Sequence, residues 1–158
     1  MPDPAARLAT LAHDLLDAIE QGADTHDVEL PARRFVSTGA LAWDCPLLAV
    51  TTPTITRGRP GRDSANVNRE SDTFVVTYEV LLLRYVPIPD DDGNPPHVDA
   101  LLASADELLR DGWLLTVGIA GALRTIEQSC TALAQTSTTA VGPEGGLAGW
   151  SSSLQVAL

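Results

Sequence analysis

The sequence predicts an α+β fold in which two helices pack on one mainly antiparallel four-stranded sheet. Apolar residues recur at three- and four-residue spacings over 5–21 and 97–120, whereas they alternate at every second residue over 73–86 and in the final eight positions. Glycine and proline clusters divide these stretches into the order helix, two strands, helix, two strands, which suits helices layered on one sheet face.

The first helix carries Leu8, Leu11, Ala12, Leu15 and Ile19 on one side and Asp14, Asp17 and Glu20 on the other, and its expected end is Gly22. A link through Pro31 leads past Arg33-Arg34-Phe35-Val36 to a first strand at 47–56, rich in threonine, valine and isoleucine. Pro53 there points to an edge position or a bulge. Residues 57–72 have almost no apolar side chain to bury and predict a flexible loop between antiparallel strands. The second strand, 73–86, is apolar on both faces, with Phe74, Val76, Tyr78, Val80 and Leu82 opposite Val75, Leu81 and Leu83. It is expected at the centre of the sheet. Four prolines and Gly93 between 87 and 96 exclude regular structure.

The second helix is expected to bury Val98, Leu101, Leu102, Ala105, Leu108, Leu109, Trp113 and Val117 and to wet Asp99, Asp106, Glu107, Arg110 and Asp111. Gly112 and Gly118 weaken its later turns and predict a small kink or a close packing partner. A threonine-rich strand at 131–141 then pairs with the last strand, 151–158, through the glycine-rich connection Gly142–Trp150.

At 158 residues, with 44% hydrophobic and 20% charged residues, the chain is expected to be a single domain, residues 1–158. Such a length buries roughly 70% of the surface exposed in the unfolded chain. The net charge is −11, from 21 acidic and ten basic residues, and every basic residue is arginine. That surface repels nucleic acid in bulk, although DNA can pass it without being gripped. Met-Pro-Asp-Pro at the start lacks the features of a signal peptide, and no apolar run approaches the about 18 residues of a membrane span, so the expectation is a soluble, unexported protein. Cys45 and Cys130 are expected as two separate reduced, buried thiols.

Catalytic patterns are weak. His13, His26 and His97 fall in different elements, with no zinc spacing among histidines and cysteines. Asp90, Asp92 and Asn94 imitate a calcium loop, but Pro95 stands where that loop needs glycine and Leu101 where it needs glutamate. Gly58-Arg-Pro-Gly61 and Gly142-Pro-Glu-Gly-Gly146 are better turns than phosphate cradles, and Asp106 and Glu107 point in different directions on one helix. Neither a cofactor nor enzymatic activity is expected; the residual nucleophile is Cys45, should His13 or His97 reach it in the fold. Arg57, Arg59, Arg62 and Arg69 are the one concentration of positive charge. They form either a solvated loop or an arm that pairs with an acidic neighbour or a DNA backbone.

Leu30-Pro-Ala-Arg-Arg-Phe-Val-Ser-Thr-Gly39, Ala42-Trp-Asp-Cys-Pro-Leu-Leu-Ala-Val50, the arginine at the strand end before Pro87, Asp90-Asp-Asp-Gly-Asn-Pro-Pro96 and Gly142-Pro-Glu-Gly-Gly-Leu-Ala-Gly-Trp150 together resemble the tail terminator proteins of actinobacterial siphophages. The likeness runs from about residue 30 to the end. It departs from the family pattern at Tyr85, where a cysteine is common, and in the arginine-bearing loop. The resemblance implies a small α+β structural subunit that forms a homohexameric ring at the neck-to-tail junction of the virion after assembly in the host cytoplasm. Such a ring caps the tail tube protein below, stops its polymerisation and meets the head-side connector above, with DNA passing through and no membrane involved. The alternative of the same class is a head-to-tail adaptor or stopper of the neck. Under this reading Arg57, Arg59, Arg62, Arg69 and Trp150 are the expected intersubunit or neighbour contacts, with Trp150 alternatively filling its own core. Asp90, Asp91 and Asp92 either line the channel or form a solvated outer loop.

Overall fold

The structure, a computed structural model, describes residues 4–39, 41, 44–57, 74–126 and 132–157, with the side chains at 4, 5, 53, 57, 125, 126 and 132–136 outside that description. Its elements are α1 (Pro4–His26), β1 (Arg34–Ser37), β2 (Leu47–Arg57), β3 (Phe74–Tyr85), α2 (Val98–Ile126), β4 (Ala132–Glu144) and β5 (Leu147–Ala157). The described strands form one open sheet in the order β1-β2-β3-β5-β4.

The expectation of four strands is therefore corrected, since the described residues alone hold five. The additional strand is β1, which pairs parallel with β2 from Arg34 against Leu48 to Ser37 against Thr51; the other pairings are antiparallel. Four residues after Pro31 show too little alternation to declare a strand. Pairing with the open edge of β2 makes them one, because unpaired edge amides and carbonyls gain partners there. Pro53 lies where the β2–β3 register shifts between Thr51 and Thr54, so the expected bulge is present.

β3 and β5 occupy the middle. The strands β4 and β5 run past the expected limits as far as Glu144 and Leu147, leaving a two-residue turn at Gly145 and Gly146 with φ of 58° and 76°. Two successive left-handed residues match the twist of the hairpin they join, and glycine adopts them without Cβ strain.

Both helices pack on the same sheet face. Leu11, Ala12, Leu15, Leu16 and Ile19 of α1 and Leu115, Ile119 and Ala122 of α2 share a core with Leu48, Val50, Val76, Tyr78, Val80, Leu82, Leu154 and Val156. The opposite face holds a smaller cluster, Leu47, Ala49, Leu81 and Leu83, flanked by Phe35, Leu41 and Val141. Helix α1 does not stop at Gly22. A Cβ there would lie 3.4 Å from Leu114 Cδ1, and one on Gly118 would lie 3.4 Å from the Ile19 Cα, so the two glycines let the helix backbones approach where they cross. The stop comes at Asp27, in the left-handed region at φ 53°, with the Val28 amide donating to the Ala23 carbonyl at 2.9 Å.

The expected inner face of α2 is also corrected. Asp111, Gly112, Leu114, Leu115, Gly118, Ile119 and Ala122 point inward, whereas Trp113, expected in the core, is 50% exposed. Two small residues and one carboxylate thus hold positions that a hydrophobic pattern assigns to larger apolar side chains. The reason lies on β3, where an arginine waits for that carboxylate.

Candidate assembly surface

Arg84 ends the helix-facing row of β3 and reaches toward α2. Its Nε and Nη2 both donate to the carboxylate of Asp111, the second at 2.9 Å, while Nη1 pairs with Glu107 at 2.8 Å. Nη2 also donates to the Glu29 carbonyl, so one guanidinium joins β3, α2 and the segment after α1. Burial opposes the charge of Arg84, but the Asp111 hydrogen bonds and charge, helped by Glu107, override it and hold the guanidinium above its ordinary pKa. Asp111 is the completely buried partner and bears the greater desolvation, which pushes its carboxyl up against the pull of Arg84.

A second anchor sits one turn away. The Trp150 indole N–H donates to the Leu108 carbonyl at 2.6 Å, and its ring lies over Gly112. Together Arg84 and Trp150 fix the middle of α2 to β3 and β5.

The half of α2 ahead of these anchors is different. Its start is capped by His97, whose Nδ1 accepts from the Asp99 amide at 3.3 Å, and Asp99 adds negative charge in the first turn, where the helix dipole favours it. From Val98 to Glu107 no residue is buried and only Ser104 is half-buried. Val98, Leu102, Leu109 and Trp113 nevertheless form an apolar stripe along this outer face, exposed by 60%, 61%, 65% and 50%. Ala105 lies at its midpoint, and Asp99, Asp106 and Arg110 run along one flank. Large apolar side chains in a row on a water-facing helix are unusual for a solvated face and have the character of a contact surface.

The residues expected from sequence to make contacts are placed unevenly. Trp150 is half-buried and packs against the helix-side core of its own subunit. Arg57 closes β2 with its side chain outside the description, and Arg59, Arg62 and Arg69 lie outside the described residues, as does Cys130. Asp90, Asp91 and Asp92 are exposed in the linker before α2. Asp90 Oδ1 accepts from the Asp92 amide at 3.0 Å and the Asn94 amide at 2.8 Å, and Oδ2 accepts from Asn94 Nδ2 at 2.9 Å. The Asn94 side chain, then its amide, holds the Asp90 carboxyl below the usual carboxylate range. This carboxylate serves its own turn. Among the described residues no group of three His, Cys, Asp or Glu side chains is placed to hold a metal ion.

Cys45 is a half-buried free thiol whose sulfur accepts from Arg33 Nη1 at 3.0 Å, beside the Arg33–Asp44 pair. Asp14, Asp17, Glu20 and Asp24 line an open groove along α1, with Ala122 of α2 at one side. Sequence reasoning missed the outer stripe of α2 as a surface because its residues looked like core. The signal that could have separated the two was Asp111 beside Gly112 and Gly118, which mark a different inward face.

No protein-family model matches the chain, and no curated protein matches it.

Proposed function

We propose that this chain is a structural tail terminator of a phage with a long non-contractile tail: a homohexameric ring at the neck-to-tail junction that caps the tube, stops its polymerisation and joins it to the head-side connector. The observation that carries the reading is the outer stripe of α2, since a subunit that keeps Leu102, Leu109 and Trp113 in water is suited to a permanent assembly. The sequence pieces at 30–39, 42–50, 90–96 and 142–150 supply the resemblance that directs it to the tail. Six copies carry a formal charge of −66, six times the chain's −11, which keeps the passing DNA backbone from adhering. Asp90, Asp91 and Asp92 contribute to this charge, and no base-specific contact is involved.

Immunogold labelling of virions with antibodies to the chain tests this. Gold confined to the neck-to-tail junction is expected, together with rings of the purified protein in negative stain. Label along the tube or on the capsid, or no label on particles, overturns the reading; label above the junction points to an adaptor of the neck.

A further inference from the structure

We propose that the N-terminal half of α2 is a self-association surface, through which two free subunits pack their α2 helices antiparallel about a two-fold axis beside Ala105. This goes beyond the ring reading and does not depend on it. A two-fold contact does not generate a six-membered cyclic ring, so it describes the subunit before incorporation.

The pattern of residues selects a second copy as the occupant. In an antiparallel pair centred between 105 and 106, Val98 meets Trp113 of the second copy and Leu102 meets Leu109 of the second copy, so every large residue of the stripe faces another. Ala105 lies at the centre, where a small side chain lets two helices close to about 8 Å. The flank adds charge pairs at its ends, while at its middle Asp106 faces Asp106 of the second copy across the axis. A two-fold axis brings the same flank of both helices together, and Arg110 then falls two residues, about 3 Å along the axis, from Asp99 of the second copy. Symmetry makes that pairing twice, whereas a parallel two-fold sets this charged flank against the opposite flank of the second copy, which carries Leu101 and Leu108, and leaves it unpaired. An anionic membrane is a poorer occupant, since Asp99 and Asp106 border the stripe with Arg110 as the one cation between Val98 and Trp113.

The test is the mass of the purified chain across concentration, by sedimentation or light scattering. A dimer is expected, and Leu109→Glu is expected to weaken it more than a hundredfold without altering circular dichroism, since Leu109 faces water. Arg110→Asp should weaken dimerisation about tenfold, and combination with Asp99→Arg should restore it, a rescue that a merely structural role would not produce. In a background with Cys45 and Cys130 replaced by serine, Ala105→Cys should cross-link between copies with a short bismaleimide, and Arg124→Cys should not. A monomer at about 100 μM, an oligomer indifferent to Leu109→Glu, a missing charge-swap rescue, or absence of the Ala105→Cys cross-link each overturns the proposal. Wild-type subunits that form rings and no two-fold dimer would overturn this proposal and leave the terminator reading intact.

Discussion

The ring of Trp150 closes over Gly112 so tightly that a Cβ at that glycine would stand 2.6 Å from Cε2 of the indole. Gly112→Ala must therefore displace either the indole or the helix, and the same indole N–H holds the Leu108 carbonyl. The expected cost is about 1–3 kcal/mol for Gly112→Ala and about 2–4 kcal/mol for the half-buried Trp150→Ala. In urea unfolding the double variant should cost less than the two single changes added together, because without the indole the alanine methyl has room.

Arg84 and Asp111 form the second tie between sheet and α2. Arg84→Met strands a completely buried carboxylate and should destabilise by about 3–5 kcal/mol. Asp111→Leu in the same chain removes the stranded charge, and thermal melting of the double variant should recover much of the loss. Equal damage in single and double variants would show that Glu107 and the Glu29 carbonyl, and not Asp111, are the partners that matter.

Trp113 stands outside the core, its ring edge-on to His26 with centroids 4.5 Å apart. Trp113→Ala should lower the stability of the single subunit by under about 1 kcal/mol, while Leu115→Ala, completely buried on the same helix, should cost about 2–5 kcal/mol. A larger loss at Trp113 than at Leu115 in chemical denaturation would show that the outer stripe is covered within one subunit.

Tyr78 is buried and its hydroxyl donates to the Leu8 carbonyl at 3.0 Å; burial pushes its pKa up to about 12. The phenol is neutral in the folded state, so its contribution is fully present below the unfolded value of about 10 and is lost as pH rises through 12. Thermal stability should fall over that window, and the fall should be shallower in Tyr78→Phe. That variant itself loses about 1 kcal/mol at neutral pH with the hydrogen bond.

The sequence by itself determined the two helices, their approximate places and those of the four long strands, and the central position of β3, and it narrowed Pro53 to an edge position or a bulge. These follow from local quantities: the period of apolar residues, the missing amide of proline and the left-handed freedom of glycine. Only the tertiary structure decided that Arg34–Ser37 is a strand, since four residues become one by finding the edge of β2. It also decided where α1 stops, because Gly22 reads as a breaker until Gly118 is seen opposite it. Above all it decided which side of α2 is inside. A hydrophobic pattern ranks Leu109 and Trp113 as core and Asp111 as surface, but the guanidinium of Arg84, 27 residues earlier in the chain, gives that carboxylate its partners inside, and the apolar stripe faces water. The candidate surface was legible as a list of apolar residues, while its exposure depended on an ion pair between distant positions that no local spacing records.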